Sequence, residues 1–124
     1  MEQKINIQSY KKLYVYQKSK DLVLLTYKLT KLFPIEEKFV LIPQSRRAAI
    51  SIVSNIVEGY FRTRKEFVRF INISIASALE LTVQIDIAFD LKYLENGDYN
   101  EISNLLIEVR KLLFSYQKSL RNKK

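Results

Sequence analysis

A chain of 124 residues, 48% hydrophobic and 27% charged, can build one packed domain and is too apolar for wholesale disorder. Two Gly and two Pro supply too few turns for an all-β fold, and without Cys there are no disulfides or thiolate metal sites. The absence of His removes catalytic triads and the common zinc and di-iron patterns, while 21 Lys and Arg against 13 acids, net +8, favour an acidic partner: nucleic acid or an anionic surface.

The opening MEQKINIQSYKK lacks the apolar core and cleavage pattern of a signal peptide. The longest aliphatic run, Leu22 to Leu25, is far below the ~20 residues that span a bilayer. A cytoplasmic protein with no membrane partner is expected.

The first predicted helix covers 10–33, with Val15, Leu22, Leu25, Leu29 and Leu32 on one face. Pro34 ends it, because proline disfavours the α conformation in the residue before it. A second helix, 43–61, starts on Pro43, whose missing N–H costs nothing in a first turn. Ala49, Ile52, Ile56 and Tyr60 form its apolar stripe, and Gln44, Arg47, Ser51, Asn55, Glu58 and Arg62 a polar one.

The third, 64–93, opens on a capping box, Thr63-Arg64-Lys65-Glu66, and carries a heptad seam: Phe67, Ile71, Ser74, Ala78, Leu81, Ile85, Ala88. Asn96-Gly97 reads as a helix stop, with Asp98 capping a fourth helix, 98–121. Ile102, Leu105, Val109, Leu112, Tyr116 and Leu120 form its core stripe. The whole chain, 1–124, is then one all-α domain, an antiparallel up-down-up-down four-helix bundle.

Such a bundle gathers the chain start, the 2–3 joint and the chain end at one pole. This joint end holds eleven cations and three acids, and the opposite end three cations and six acids. Lys11, Lys12, Arg62, Arg64, Lys65, Arg69, Lys118 and Arg121 are the candidate nucleic-acid-binding residues; Lys4, Lys123 and Lys124 share that end. Tyr10, Tyr14, Tyr60, Phe61, Phe67 and Tyr116 lie near them, as stacking platforms for unstacked bases or as core. Helix-dipole preferences explain the basic tail of helix 4, but not Lys11 and Lys12 at a helix start.

Counting outward from Thr63 sets Glu80 opposite Arg46, with Arg47 close by, Ser77 opposite Ala49 and Ser74 opposite Ile52. A partly buried Glu80 would need an arginine partner, so a structural ion pair of Arg46 and Arg47 with Glu80 is expected. A catalytic role for Glu80 would need a second carboxylate or an imidazole beside it, and none is placed there. Ala48, Ala49, Ser51, Ser74, Ala76, Ser77 and Ala78 permit close backbone approach, either within this hairpin or between subunits. No phosphate loop, activated nucleophile or metal pattern appears, since Gly59 and Gly97 stand alone and Asp86 with Asp90 reads as a solvated face. No enzymatic activity, cofactor, metal or small-molecule substrate is expected.

The segment Phe33–Gly59 resembles a bacterial family of four-helix bundle proteins encoded in intervening sequences of 23S ribosomal RNA genes. The likeness is carried by Phe33, Pro34, Glu37, Phe39, Leu41, Gln44, Arg46, Arg47, Ala48, Ser51, Ile52, Asn55, Ile56, Glu58 and Gly59. Leu13 to Lys18 resembles the family's N-terminal motif with Tyr16 in place of Trp, and Phe67, Phe70, Glu80, Leu81 and Gln84 match its third helix. Val40 and Ala76 stand where the family has Gly. The resemblance implies a bacterial cytoplasmic protein and a ring-like homo-oligomer, a homopentamer foremost. It also implies kinship with the nucleic-acid-binding accessory protein of diversity-generating retroelements. The expected function is non-catalytic binding of nucleic acid, RNA ahead of DNA, through the basic end. The alternative is a protein–protein adaptor whose basic end meets an acidic partner such as a reverse transcriptase.

Overall fold

The computed structural model describes residues 7–122, so Glu2, Lys4, Lys123 and Lys124 lie outside the described residues. Those residues form four α-helices and two short 3-10 turns, with no strand among them. Helix α1 is Tyr14–Thr30, α2 Leu41–Tyr60, α3 Arg64–Asp90 and α4 Asn96–Asn122. Each helix packs on the next, and α1 closes against α4.

The first helix starts later than periodicity suggests. Ser9–Lys12 is a 3-10 turn, and Leu13 is extended before α1 begins. Helix α2 starts two residues before Pro43. The Leu41 N–H donates to Glu37 Oε1 at 3.3 Å, so a carboxylate supplies the cap that the sequence does not announce locally.

The stop after α3 is not Asn96-Gly97. The chain turns at Lys92, which is left-handed at φ 67. The Lys92 N–H donates to Phe89 O and the Tyr93 N–H to Ala88 O, both at 2.9 Å, closing a Schellman turn. Lysine occupies the position where glycine usually signals such a turn, and this misplaces the boundary. Asn96 and Gly97 instead begin α4, and Asp98 sits inside its first turn rather than capping it.

All seven residues of the α3 seam are buried. By length and composition α3 could cross a membrane, yet its seam is covered by the rest of the bundle. Val15, Leu22 and Leu29 bury as expected, while Leu32, beyond the end of α1, is 58% exposed. In α4 the buried line is Ile102, Leu106, Val109 and Leu113, with Leu105, Leu112, Tyr116 and Leu120 half-buried along its flank.

The α2–α3 hairpin keeps the expected register near its joint. Ser74 Oγ donates to Ile52 O at 2.8 Å. Farther out, Ser77 meets Ser51 at 2.8 Å rather than Ala49, a drift expected of helices that cross at an angle. The small residues at the waist thus serve close approach within the hairpin, although Ala76 faces outward.

Candidate nucleic-acid interface

Only Phe61, Arg62 and Thr63 separate α2 from α3. So tight a joint requires Gly59: a Cβ there would lie 2.7 Å from both Phe67 Cδ1 and Phe70 Cβ. Thr63 caps α3 by accepting from the Glu66 N–H at 3.2 Å. Its hydroxyl also donates to Glu66 Oε1 at 3.0 Å, so the Glu66 carboxylate returns to the Thr side chain rather than to the backbone.

Glu66 also faces Arg62, with Oε2 3.6 Å from Nη1, while Arg62 Nη2 donates to Glu58. The guanidinium lies over the Phe70 ring, 5.2 Å from its centroid. The hydrogen bond to Glu58, then the Glu58 charge, raise the Arg62 pKa. Arg62 is therefore locked between two carboxylates. Of the eight candidate residues it is the one whose charge already faces carboxylates.

Arg64, Lys65 and Arg69 of α3 converge with Arg121 of α4 on a cleft of about 550 Å³, floored by Val68 and Leu120. All four cationic side chains are exposed, and no carboxylate lines the cleft. Lys11 and Lys12 belong to the N-terminal 3-10 turn, which docks on the joint through Ser9 Oγ and Tyr60 OH, 2.9 Å apart, and through Tyr10 against Phe61. Lys118 is exposed on α4, three residues before Arg121 and outside the cleft lining. Among the described residues, none of these seven cations has a carboxylate within 4.0 Å.

The aromatics nearby mainly engage one another. Tyr10 packs edge-on against Tyr16 at 4.9 Å, Tyr60 bridges Phe61 and Phe67, and Phe67 meets Tyr116 at 5.4 Å. Burial raises the Tyr116 pKa. Phe67 is core, and only Tyr14 and Phe61 of the set expose half their surface.

The expected ion pair of Arg46 and Arg47 with Glu80 does not form. Arg46 turns toward α1, donating from Nε to Thr30 Oγ1 at 2.9 Å and stacking its guanidinium 4.5 Å from the centre of the Tyr27 ring. Arg47 and Glu80 are exposed, and Glu80 only accepts a long 3.4 Å bond from Gln84. Counting from the joint places residues opposite one another but does not say which side of α3 faces out. At the far end the structure engages Glu37 instead, which caps α2 and accepts from Tyr93 OH at 2.9 Å. Asp86 likewise accepts from Tyr99 OH at 2.7 Å. No cluster of three or more metal-ligating side chains occurs among the described residues.

Residues 11–115 match the protein family described as 23S rRNA-intervening sequence protein. A solved structure of a protein of unknown function from the S23 ribosomal protein family of Bacteroides thetaiotaomicron is similar at 30% identity. It superimposes with a TM-score of 0.77 over 84% of this chain and 98% of its own. No curated protein matches the chain.

Proposed function

The chain belongs to the 23S rRNA-intervening sequence protein family, and we propose that it is a non-catalytic, cytoplasmic nucleic-acid-binding protein that works as a ring-like homo-oligomer through its basic end. The observation that carries this reading is the set of seven exposed cations, Lys11, Lys12, Arg64, Lys65, Arg69, Lys118 and Arg121, that face no carboxylate among the described residues. Cations held near one another without carboxylates repel each other, and a polyphosphate backbone relieves that repulsion while releasing counterions. An antiparallel up-down-up-down arrangement supports the grouping. Late α1 meets early α2, as in Thr30 with Arg46, late α2 meets early α3, as in Gly59 with Phe67, and early α3 meets late α4, as in Asn72 with Gln117.

Self-association is part of the same proposal, a homopentamer being its specific form. Ile35 and Phe39, 77% and 84% exposed, and Leu79, Val83 and Ile87 on the outer side of α3 give each subunit two apolar surfaces, as a closed ring requires. Kinship with the accessory protein of diversity-generating retroelements would place this chain among proteins that present such a surface to nucleic acid. RNA is favoured over DNA because the family is described by its place in intervening sequences of 23S rRNA.

Filter binding of RNA and DNA across a salt series tests the proposal. Affinity should fall steeply with salt, with a slope of about 0.7–0.9 for each phosphate contact. Light scattering should report a multiple of 14.7 kDa. Absence of binding at low salt would reject the nucleic-acid reading in favour of the adaptor.

A further inference from the structure

We propose that the cleft between the start of α3 and the end of α4 is a subsite for one unstacked nucleotide of a single strand. In this site Arg64, Lys65, Arg69 and Arg121 take the phosphates, and Val68 with Leu120 underlies the base and sugar. The inference rests on the nucleic-acid reading above and adds to it a site and a strand preference.

The shape and the chemistry of the cleft carry the argument. A convex cationic patch reads only phosphate spacing, so it serves duplex and single strand alike. This site is an open groove of about 550 Å³ in which half-buried Val68 and Leu120 lie among four exposed cations, an aliphatic floor with a cationic rim. Filling it needs a ligand that is apolar and flat in one part and anionic in an adjoining part. An unstacked nucleotide has that form. In a duplex the bases are paired and stacked on the axis side of the phosphates, so the rim can be used and the floor cannot.

The rim suits this division of work. Three of its four cations are arginines, whose planar forks can bond a phosphate or lie flat on a base. The two acids nearest in sequence, Glu58 and Glu66, both turn to Arg62 and neither lines the cleft, so one surplus negative charge stands against four rim cations. The neighbouring rings are committed to one another along the Tyr10–Phe61–Tyr60–Phe67–Tyr116 series. The floor therefore falls to Val68 and Leu120. Aliphatic carbon offers no hydrogen-bond code, so the subsite tolerates any base.

Fluorescence anisotropy with the full chain tests this, using a labelled oligouridine RNA, an oligothymidine DNA and an RNA duplex of equal length. The wild type should bind both single strands more tightly than the duplex. Leu120→Ala should weaken single-strand binding roughly fivefold, the effect of a few tens of Å² of apolar contact, and leave duplex binding unchanged. Val68→Thr, which keeps the side-chain shape, should act in the same direction should Leu120→Ala disturb the end of α4. Arg121→Gln should weaken all three probes and lower the salt slope. Equal binding of single strand and duplex, or floor variants that change neither, would overturn the subsite and leave the nucleic-acid reading standing. Failure of every probe to bind at low salt would overturn both.

Discussion

At the joint end both described carboxylates, Glu58 and Glu66, converge on Arg62, whereas toward the opposite end Glu37 and Asp86 accept hydrogen bonds from the phenols of Tyr93 and Tyr99. The consequences for charge are opposite. Two carboxylates sharing one guanidinium leave a single surplus negative charge against the remaining joint-end cations. A carboxylate bonded to a neutral phenol keeps its negative charge. Internal bonding therefore preserves the polarity written into the sequence rather than averaging it away. Ring pairs pack at both ends, Phe33 with Tyr93 and Phe89 with Tyr99 at the far one, but close backbone approach at Gly59 marks the joint, and one carboxylate reaching both α2 and the α3–α4 turn marks the far end.

The sharpest way to break this comparison is to remove equal charge from each end. Replacing Arg64, Lys65 and Arg69 with Gln should reduce RNA affinity at moderate salt by an order of magnitude or more and lower the salt slope by about 2–3. Replacing Lys31, Lys38 and Lys92 with Gln should do far less. Equal losses in filter binding would mean that net charge alone matters.

Glycine substitutions probe the two ends with opposite signs. Gly59→Ala forces a Cβ into Phe67 and Phe70 and should destabilise by about 1–3 kcal/mol. Gly97→Ala meets nothing within 4 Å at the start of α4 and should stabilise by about 0.4–1 kcal/mol. Urea denaturation measures both, and a shared sign would remove the contrast in packing.

Carboxylates give the next contrast. Glu37→Ala removes the α2 cap and the Tyr93 bond together and should cost about 1–3 kcal/mol. Glu80→Ala removes an exposed group and should stay within about 0.5 kcal/mol in the same assay. A large loss at Glu80 would show that it is covered by a neighbouring subunit.

The smallest effect is on pH. The Tyr99 pKa is raised above its ordinary 10.0, chiefly because its hydroxyl donates to Asp86, and Tyr93 is raised by Glu37. A raised folded pKa means that the stabilisation is complete below the ordinary value and is lost as pH climbs through the folded one. A melting-temperature profile should therefore decline above pH 10, and Tyr99→Phe should soften that decline.

The α3 seam and the Thr63 cap were readable because each depends on spacing along one helix or on a side chain reaching its own backbone. Pro34 marks the end of α1 within a few residues for the same local reason. The joint-end cations were readable as a group, since a three-residue joint leaves few ways to fold α2 on α3. The stop at Lys92 was hidden, because a lysine carries no mark of left-handed backbone and tertiary packing supplies the strain.

Helix number and the α3 core face follow from the order of residues alone, since periodicity acts at fixed sequence distances, whereas in α4 the packing selects Leu106 and Leu113 over the expected Leu105 and Leu112 as the fully buried line. The partners of each charge are a different matter. That Arg62 is answered while Arg64 is not, that Arg46 turns to Tyr27 rather than to Glu80, and that Leu120 lies beside Val68 in a cleft depend on a few ångströms of helix rotation. Such rotations are set by how four cores interdigitate, and no spacing rule within one helix contains them.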